Sequence, residues 1–167
     1  MIVGNVPFHL TTPILRRLLP AGHWQAAVLL VQWEVARRRA GVGGASMLTA
    51  SWWPWHEFEL HRRVPARSFR PVPSVDGGLL TMTRRPVPLV GERGPYQEFV
   101  RQVFTGRGRG LGEILHRTGR IDRVAVREWM RDAGVMPHAL PKDLTAAQWA
   151  SLWHQAGPSR RPHASSQ

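Results

Sequence analysis

Near the start of the chain, Gly4-Asn5-Val6-Pro7-Phe8 follows the apolar pair Ile2-Val3. An apolar run that stops at Gly-Asn and then meets a proline predicts a buried strand ending abruptly, with Asn5, Pro7 and Phe8 in the turn at its C-terminal end. In open α/β sheets the crevice beyond the strand C-termini is where ligands bind. The turn therefore offers a short amide, a main-chain carbonyl that precedes no helix, and an aromatic face. That trio suits methylation of an exocyclic amine on a nucleobase, whose lone pair is delocalised into the ring. The Asn5 side-chain oxygen and the Pro7 carbonyl would accept both N–H groups and favour a pyramidal nitrogen. Phe8 would stack on the flipped-out base; flipping costs a few kcal/mol, and a base–aromatic stack returns about 1–3 kcal/mol. Positioning and polarisation would do most of the work, without a general base before transfer. Taken alone, the same residues also read as an ordinary strand end with a core phenylalanine.

A second stretch decides between these. Gly4-Asn5-Val6-Pro7-Phe8 resembles the Asn-(Ile/Leu/Val)-Pro-(Tyr/Phe) motif of the ribosomal RNA adenine N6-methyltransferases. Val64-Pro65-Ala66-Arg67-Ser68-Phe69-Arg70-Pro71-Val72-Pro73-Ser74-Val75-Asp76-Gly77 resembles that family's Phe-x-Pro-x-Pro-x-Val signature. Between them, Leu29-Leu30-Val31-Gln32-Trp33-Glu34-Val35-Ala36-Arg37-Arg38 is most similar to the Erm-type 23S rRNA methyltransferases, within the rRNA adenine dimethylase family. The small-subunit dimethyladenosine transferases are the close alternative, and the stretch from Gln32 to Arg38 tilts the resemblance away from them. The resemblance implies S-adenosylmethionine as methyl donor and one adenine of 23S rRNA as target, with resistance to macrolide-lincosamide-streptogramin antibiotics as the outcome. It makes Asn5, Pro7, Phe8 and Phe69 the catalytic residues, with Phe69 on the other side of the flipped base. It also sets Asn5 beside the methionine end of the cofactor. Arg70, next to Phe69, would reach phosphate.

Composition agrees with a polyanionic partner: the formal net charge is +12 and the sequence pI about 11.8. Of 23 basic residues only Lys142 is lysine; the arginine bias can follow genome composition, so the sign of the charge is the stronger fact. Arg37, Arg38 and Arg39 at one helix end, and Arg107 with Arg109 in an Arg-Gly alternation, are the candidates for RNA-backbone contacts, the latter as a mobile clamp. The absence of cysteine excludes disulfides and thiolate–zinc sites, and the eight histidines show no metal-ligand spacing. No apolar run has transmembrane length and Met1 opens no signal-type segment. A cytoplasmic, monomeric protein with no membrane partner is expected.

These residues need an α/β frame. Thr12-Pro13 predicts a helix start, threonine as N-cap and proline at the first helical position, with Ile14, Leu15, Leu18 and Leu19 as its stripe. Ala26–Val31 is a continuous apolar run, the pattern of a strand covered on both faces, and Trp33–Ala40 a short helix broken by Gly41–Gly44. The order strand, helix, strand implies a right-handed parallel crossover. His56–Leu60 and Leu79–Arg84 flank a Pro-rich loop and predict an antiparallel sheet edge. Trp52, Trp53 and Trp55 fit core packing better than a stacking platform. The expectation is the C-terminal portion of a Rossmann-like methyltransferase sheet over 1–85, a linker over 86–95, a helical RNA-binding lobe over 96–156 and a disordered tail over 157–167. In the lobe, Tyr96, Phe99, Val100, Val103 and Phe104 form one stripe. Asp122 is a cap candidate, and Thr145 with Gln148 is a capping box.

A cofactor site on this fold uses a Gly-rich turn after the first strand and an acidic residue after the second. Gly41–Gly44 follows a helix and Gly106–Gly110 lies in the helical part, so neither fills that role. By the resemblance, the chain corresponds to the family from its Asn-x-Pro-Phe strand onward. Such a piece is expected to be inactive and marginally stable alone. The rival reading is a non-catalytic remnant that still binds RNA.

Overall fold

The computed structural model describes residues 1–157, and the tail expected to be disordered lies, from residue 158, outside the described residues. The chain divides into two compact units, Met1–Leu89 and a second from Val90 on.

The first unit is built on a four-stranded sheet of order β1-β2-β4-β3. Its strands are β1 (Ile2–Asn5), β2 (Ala26–Gln32), β3 (His56–Val64) and β4 (Gly77–Arg84). β1 runs parallel to β2, with Asn5 opposite Leu30, and β4 runs antiparallel to both β2 and β3. The antiparallel edge follows from the short return between β3 and β4, as the sequence indicated. α1 (Thr11–Leu18), α2 (Trp33–Arg39) and α3 (Met47–Trp52) complete the unit. Leu15 and Leu19 pack with Ala27, Leu29 and Val31 of β2 and with Leu80 and Met82 of β4 in one buried cluster. β2 is buried on that face only: Ala26, Val28 and Leu30 are half-buried, so the unbroken apolar run overstated its cover. His56 is fully buried, stacked on Trp24 at 5.1 Å and edge-on to Trp52 at 5.6 Å. Trp52 and Trp53 are buried, and a Cβ on Gly41 (φ +75°) would lie 2.8 Å from the Trp53 ring. The tryptophans are packing groups.

The start of α1 differs from the expectation. The N-cap is Leu10, with no side-chain cap, and Thr12-Pro13 sits inside the first turn. A 3-10 turn over Phe8–Leu10 runs directly into the helix, and the Thr11 hydroxyl donates to the Phe8 carbonyl at 3.1 Å. The preceding turn fixes this helix start, so the threonine cap is not needed.

The second unit is all-helical among the described residues: α4 (Arg93–Thr105), α5 (Leu111–Arg117), α6 (Arg123–Asp132) and α7 (Ala146–Ala156). Phe99 meets Trp149 at 6.3 Å and Trp153 at 5.6 Å, and Tyr96 meets Trp153 edge-on at 5.8 Å, so α4 and α7 share an aromatic core. Local capping is as the sequence dictates. The Asp122 carboxylate accepts the Val124 and Ala125 N–H groups at 2.8 and 2.9 Å, and Thr145 with Gln148 forms the reciprocal box. No helix of the described residues is long and apolar enough to cross a membrane.

Candidate functional site

Asn5 ends β1 with its side chain exposed and without a hydrogen bond to any described residue. The chain is then tied down, because buried Val6 donates its N–H to the Leu30 carbonyl at 3.0 Å. Pro7 follows at φ −53°, ψ 127° and caps the 3-10 turn. Its carbonyl already accepts the Leu10 N–H at 2.9 Å. The sequence reading of a carbonyl that precedes no helix is therefore corrected: Pro7 holds a helical turn and has one lone pair left to offer.

Phe69 comes to the same place from the loop between β3 and β4. Its ring lies 6.2 Å from that of Phe8 at an interplanar angle of 73°. Asn5, Pro7, Phe8, Phe69 and Arg70 line one open depression of about 360 Å³. Two features hold Phe69 there. A Cβ on Gly77 would lie 2.9 Å from its Cζ, so only a bare backbone allows the ring so close. Asp76 closes the base of the loop, accepting the Ala66 N–H at 2.7 Å and the Arg63 Nε–H at 2.5 Å. The Ala66 N–H, followed by the Arg63 guanidinium, holds the Asp76 carboxyl below the usual carboxylate range. No role for Asp76 was legible in the sequence, since its partners lie ten and thirteen residues away.

The arginines separate into two groups. Arg38 and Arg70 are exposed, and Arg37 is half-buried, 3.3 Å from Glu34. Arg39 is buried, its guanidinium donating to the Ser46 hydroxyl and to Thr12 Oγ1 at 3.4 Å. Burial, then Arg16 and Arg38, pushes its pKa down. Arg39 is thus removed from the RNA-facing set: it shares the inward face of α2 with Ala36, three residues before it. That i, i+3 relation was the available signal. In the second unit Arg107 and Arg109 are exposed. The loop carrying them is held down rather than free. A Cβ on Gly106 or Gly108 would lie 2.7 or 2.9 Å from the Ile114 side chain, and the Arg109 N–H donates to Glu113 at 2.9 Å. The Arg-Gly alternation thus has a packing cause, which corrects the mobile-clamp reading.

The model of the family described as ribosomal RNA adenine dimethylase matches residues 1–156. The chain belongs to that family. Mycinamicin-resistance protein MyrB of Micromonospora griseorubida is 58% identical over 154 residues, 91% of this chain and 49% of the relative. An rRNA adenine N-6-methyltransferase of Corynebacterium diphtheriae is 59% identical over 121 residues, 71% of this chain and 48% of the relative. The crystal structure of 23S rRNA methyltransferase ErmE superposes with a TM-score of 0.83 at 32% identity, covering 92% of this chain and 64% of that one. The chain spans about half the length of the curated relatives it matches. Among its described residues no Gly-rich turn leads from a strand into a helix.

Proposed function

We propose that this chain carries the target-base half of an enzyme that transfers a methyl group from S-adenosylmethionine to N6 of an adenine in 23S rRNA. The outcome would be resistance to macrolide-lincosamide-streptogramin antibiotics. The observation that carries the reading is the convergence of Asn5, Pro7 and Phe8 with Phe69 on one depression, from separate segments of the first unit.

The Asn5 amide oxygen and the remaining lone pair of the Pro7 carbonyl accept the two N–H groups of the amine. Held this way, the nitrogen lone pair is released from the ring and aimed at the donor. Phe8 and Phe69 meet edge to face, leaving a ring for the base to stack on and a second ring bounding it. S-adenosylmethionine, when bound, supplies an electrophilic methyl group; Asn5, exposed with an uncommitted amide, is the residue of this chain fit to touch its methionine end. Arg38, Arg70, Arg107 and Arg109 are exposed cations for the RNA backbone, Arg37 joining them where it is released from Glu34. The second unit serves as an RNA-binding lobe, and the protein acts as a monomer in the cytoplasm.

The test is labelled-methyl incorporation into a 23S rRNA transcript by the polypeptide as its cell makes it. Incorporation at one adenine, lost in Asn5→Ala, supports the reading. Salt-dependent RNA binding without incorporation would instead support a non-catalytic RNA-binding remnant.

A further inference from the structure

A second depression lies on the same rim as the Phe8–Phe69 site and has no part in the chemistry above. It encloses about 380 Å³ and is lined by Gln32, Trp33, Glu34, Arg63, Ser74 and Asp76, among others. Gln32 ends β2 and pairs with Gly77 of β4, the glycine against which Phe69 packs. The Pro-rich loop bounds both depressions, with Phe69, Arg70, Pro71 and Pro73 lining the first and Ser74 to Asp76 the second.

The chemistry of this second depression is that of a base receptor. Trp33 is half-buried and its ring edge is fixed against Gly78, where a Cβ would lie 3.2 Å from Cε3. The Arg63 guanidinium sits 5.6 Å from the Trp33 ring centroid, steered there by its ion pair with Asp76. An indole and a guanidinium plane are the two kinds of surface on which unstacked RNA bases are held. At that distance the guanidinium covers the indole face in a cation–π contact, so a base stacks on Trp33 by taking the place of Arg63. Arg63, with its side chain 60% exposed, can swing outward on its ion pair with Asp76 to admit the base. Around the rim, the Gln32 amide, the Ser74 hydroxyl and the Glu34 carboxylate offer hydrogen-bond partners to a base edge, the carboxylate favouring one that carries an N–H group.

We infer that the Trp33–Arg63 depression receives a nucleotide flanking the target adenine on the same RNA strand, stacking its base on Trp33. The inference rests on the proposed function and adds to it the site that selects the neighbouring base. Arg63 is a second plane and a cation for the adjoining phosphate. Asp76 orients Arg63 and the loop bearing Phe69 together, so filling one depression bears on the geometry of the other.

The test is a cycle between protein and RNA, using the polypeptide as its cell makes it and a 23S rRNA hairpin in which each nucleotide flanking the target adenine is replaced, one at a time, by an abasic residue. In the unaltered protein one flanking position is expected to weaken RNA binding about tenfold when abasic, the weight of one base–aromatic stack. Trp33→Ala is expected to cost about the same on intact RNA and to abolish the abasic penalty at that position alone, with Trp33→Phe restoring it. Arg63→Gln alters an exposed side chain and is expected to reduce the same penalty at least about twofold; it decides the matter if Trp33→Ala does not fold. An abasic penalty unchanged by the variants, at every flanking position, overturns the inference while methyl transfer still stands. A protein that methylates no RNA overturns the function reading instead.

Discussion

The Phe8 and Phe69 rings meet edge to face, 6.2 Å apart and inclined by 73°. One ring is fixed by the 3-10 turn after β1 and the other by a loop closed on Asp76, so each can be removed with the other still in place. Phe8→Ala is expected to lower methyl transfer about 5- to 150-fold, the equivalent of about 1–3 kcal/mol of lost stacking. Bulk RNA affinity should change less than about threefold, since the stack on Phe8 is offset by the cost of flipping the base. Phe8→Tyr should keep most of the rate. Single-turnover rates and filter-binding constants on one transcript check this, and a Phe8→Ala enzyme with full rate removes Phe8 from the site.

Asp76 is the second handle, because one carboxylate holds both the Ala66 N–H and Arg63. Asp76→Asn keeps an acceptor for Ala66 and loses the ion pair; Asp76→Ala loses both. The alanine variant should therefore lose more activity than the asparagine variant, through a misplaced Phe69. The pH dependence has a definite sign. The folded pKa lies below the unfolded value of about 3.9. The stabilisation is therefore complete above that value and is lost as pH falls through the folded pKa. Urea midpoints of the unaltered protein and Asp76→Asn should differ by a constant amount from pH 5 to 8 and converge below about pH 4. A gap that persists at the lowest pH would falsify this account.

The parts of the molecule legible in the sequence are those set by neighbours in the chain. Asp122 and Thr145 with Gln148 cap their helices because a cap involves only the next three residues. Asn5, Pro7, Phe8 and Phe69 were picked out through two motifs, and the fold brings them to one depression. The illegible parts depend on residues far along the chain. Arg39 reads as one of three solvated arginines, yet its partners include Thr12, 27 residues away. Trp33 and Arg63 meet only because β3 returns along β4 beside the start of α2. Thr12-Pro13 misleads for the opposite reason: a local helix-start signal is overridden by a 3-10 turn one residue earlier.

Gly77 and Gly78 sit at the first positions of β4 and should respond differently to a methyl group. A Cβ on Gly78 would lie 2.6 Å from the Ala36 Cβ and 3.3 Å from the Trp33 backbone. Neither can give way without moving α2. Gly78→Ala should therefore cost about 1–3 kcal/mol of stability. On Gly77 the Cβ meets Phe69 Cζ at 2.9 Å and Leu30 Cδ1 at 3.2 Å, both side-chain ends. Gly77→Ala should keep most of the stability and lose methyl transfer as Phe69 swings out of the depression. Melting temperatures set beside transfer rates separate the two, and equal loss of stability in both would show that the Phe69 ring has no room to move.

Exposed and buried arginines make the final contrast. Arg107 and Arg109 project from a loop whose glycines pack on Ile114, so removing their charge leaves the packing intact. The Arg107→Gln, Arg109→Gln double variant should melt as the unaltered protein does. Its plot of log affinity against log salt should be shallower by roughly 1.4–1.8, the contribution of two phosphate contacts. Arg39→Gln should do the reverse. It leaves the salt slope unchanged, because that side chain does not face solvent. It also lowers stability by about 1–3 kcal/mol, because the Ser46 and Thr12 hydroxyls lose a charged donor in a buried site. A salt slope that falls in Arg39→Gln would return Arg39 to the RNA-facing set, and a double variant with an unchanged slope would take the Gly106–Gly110 loop out of it.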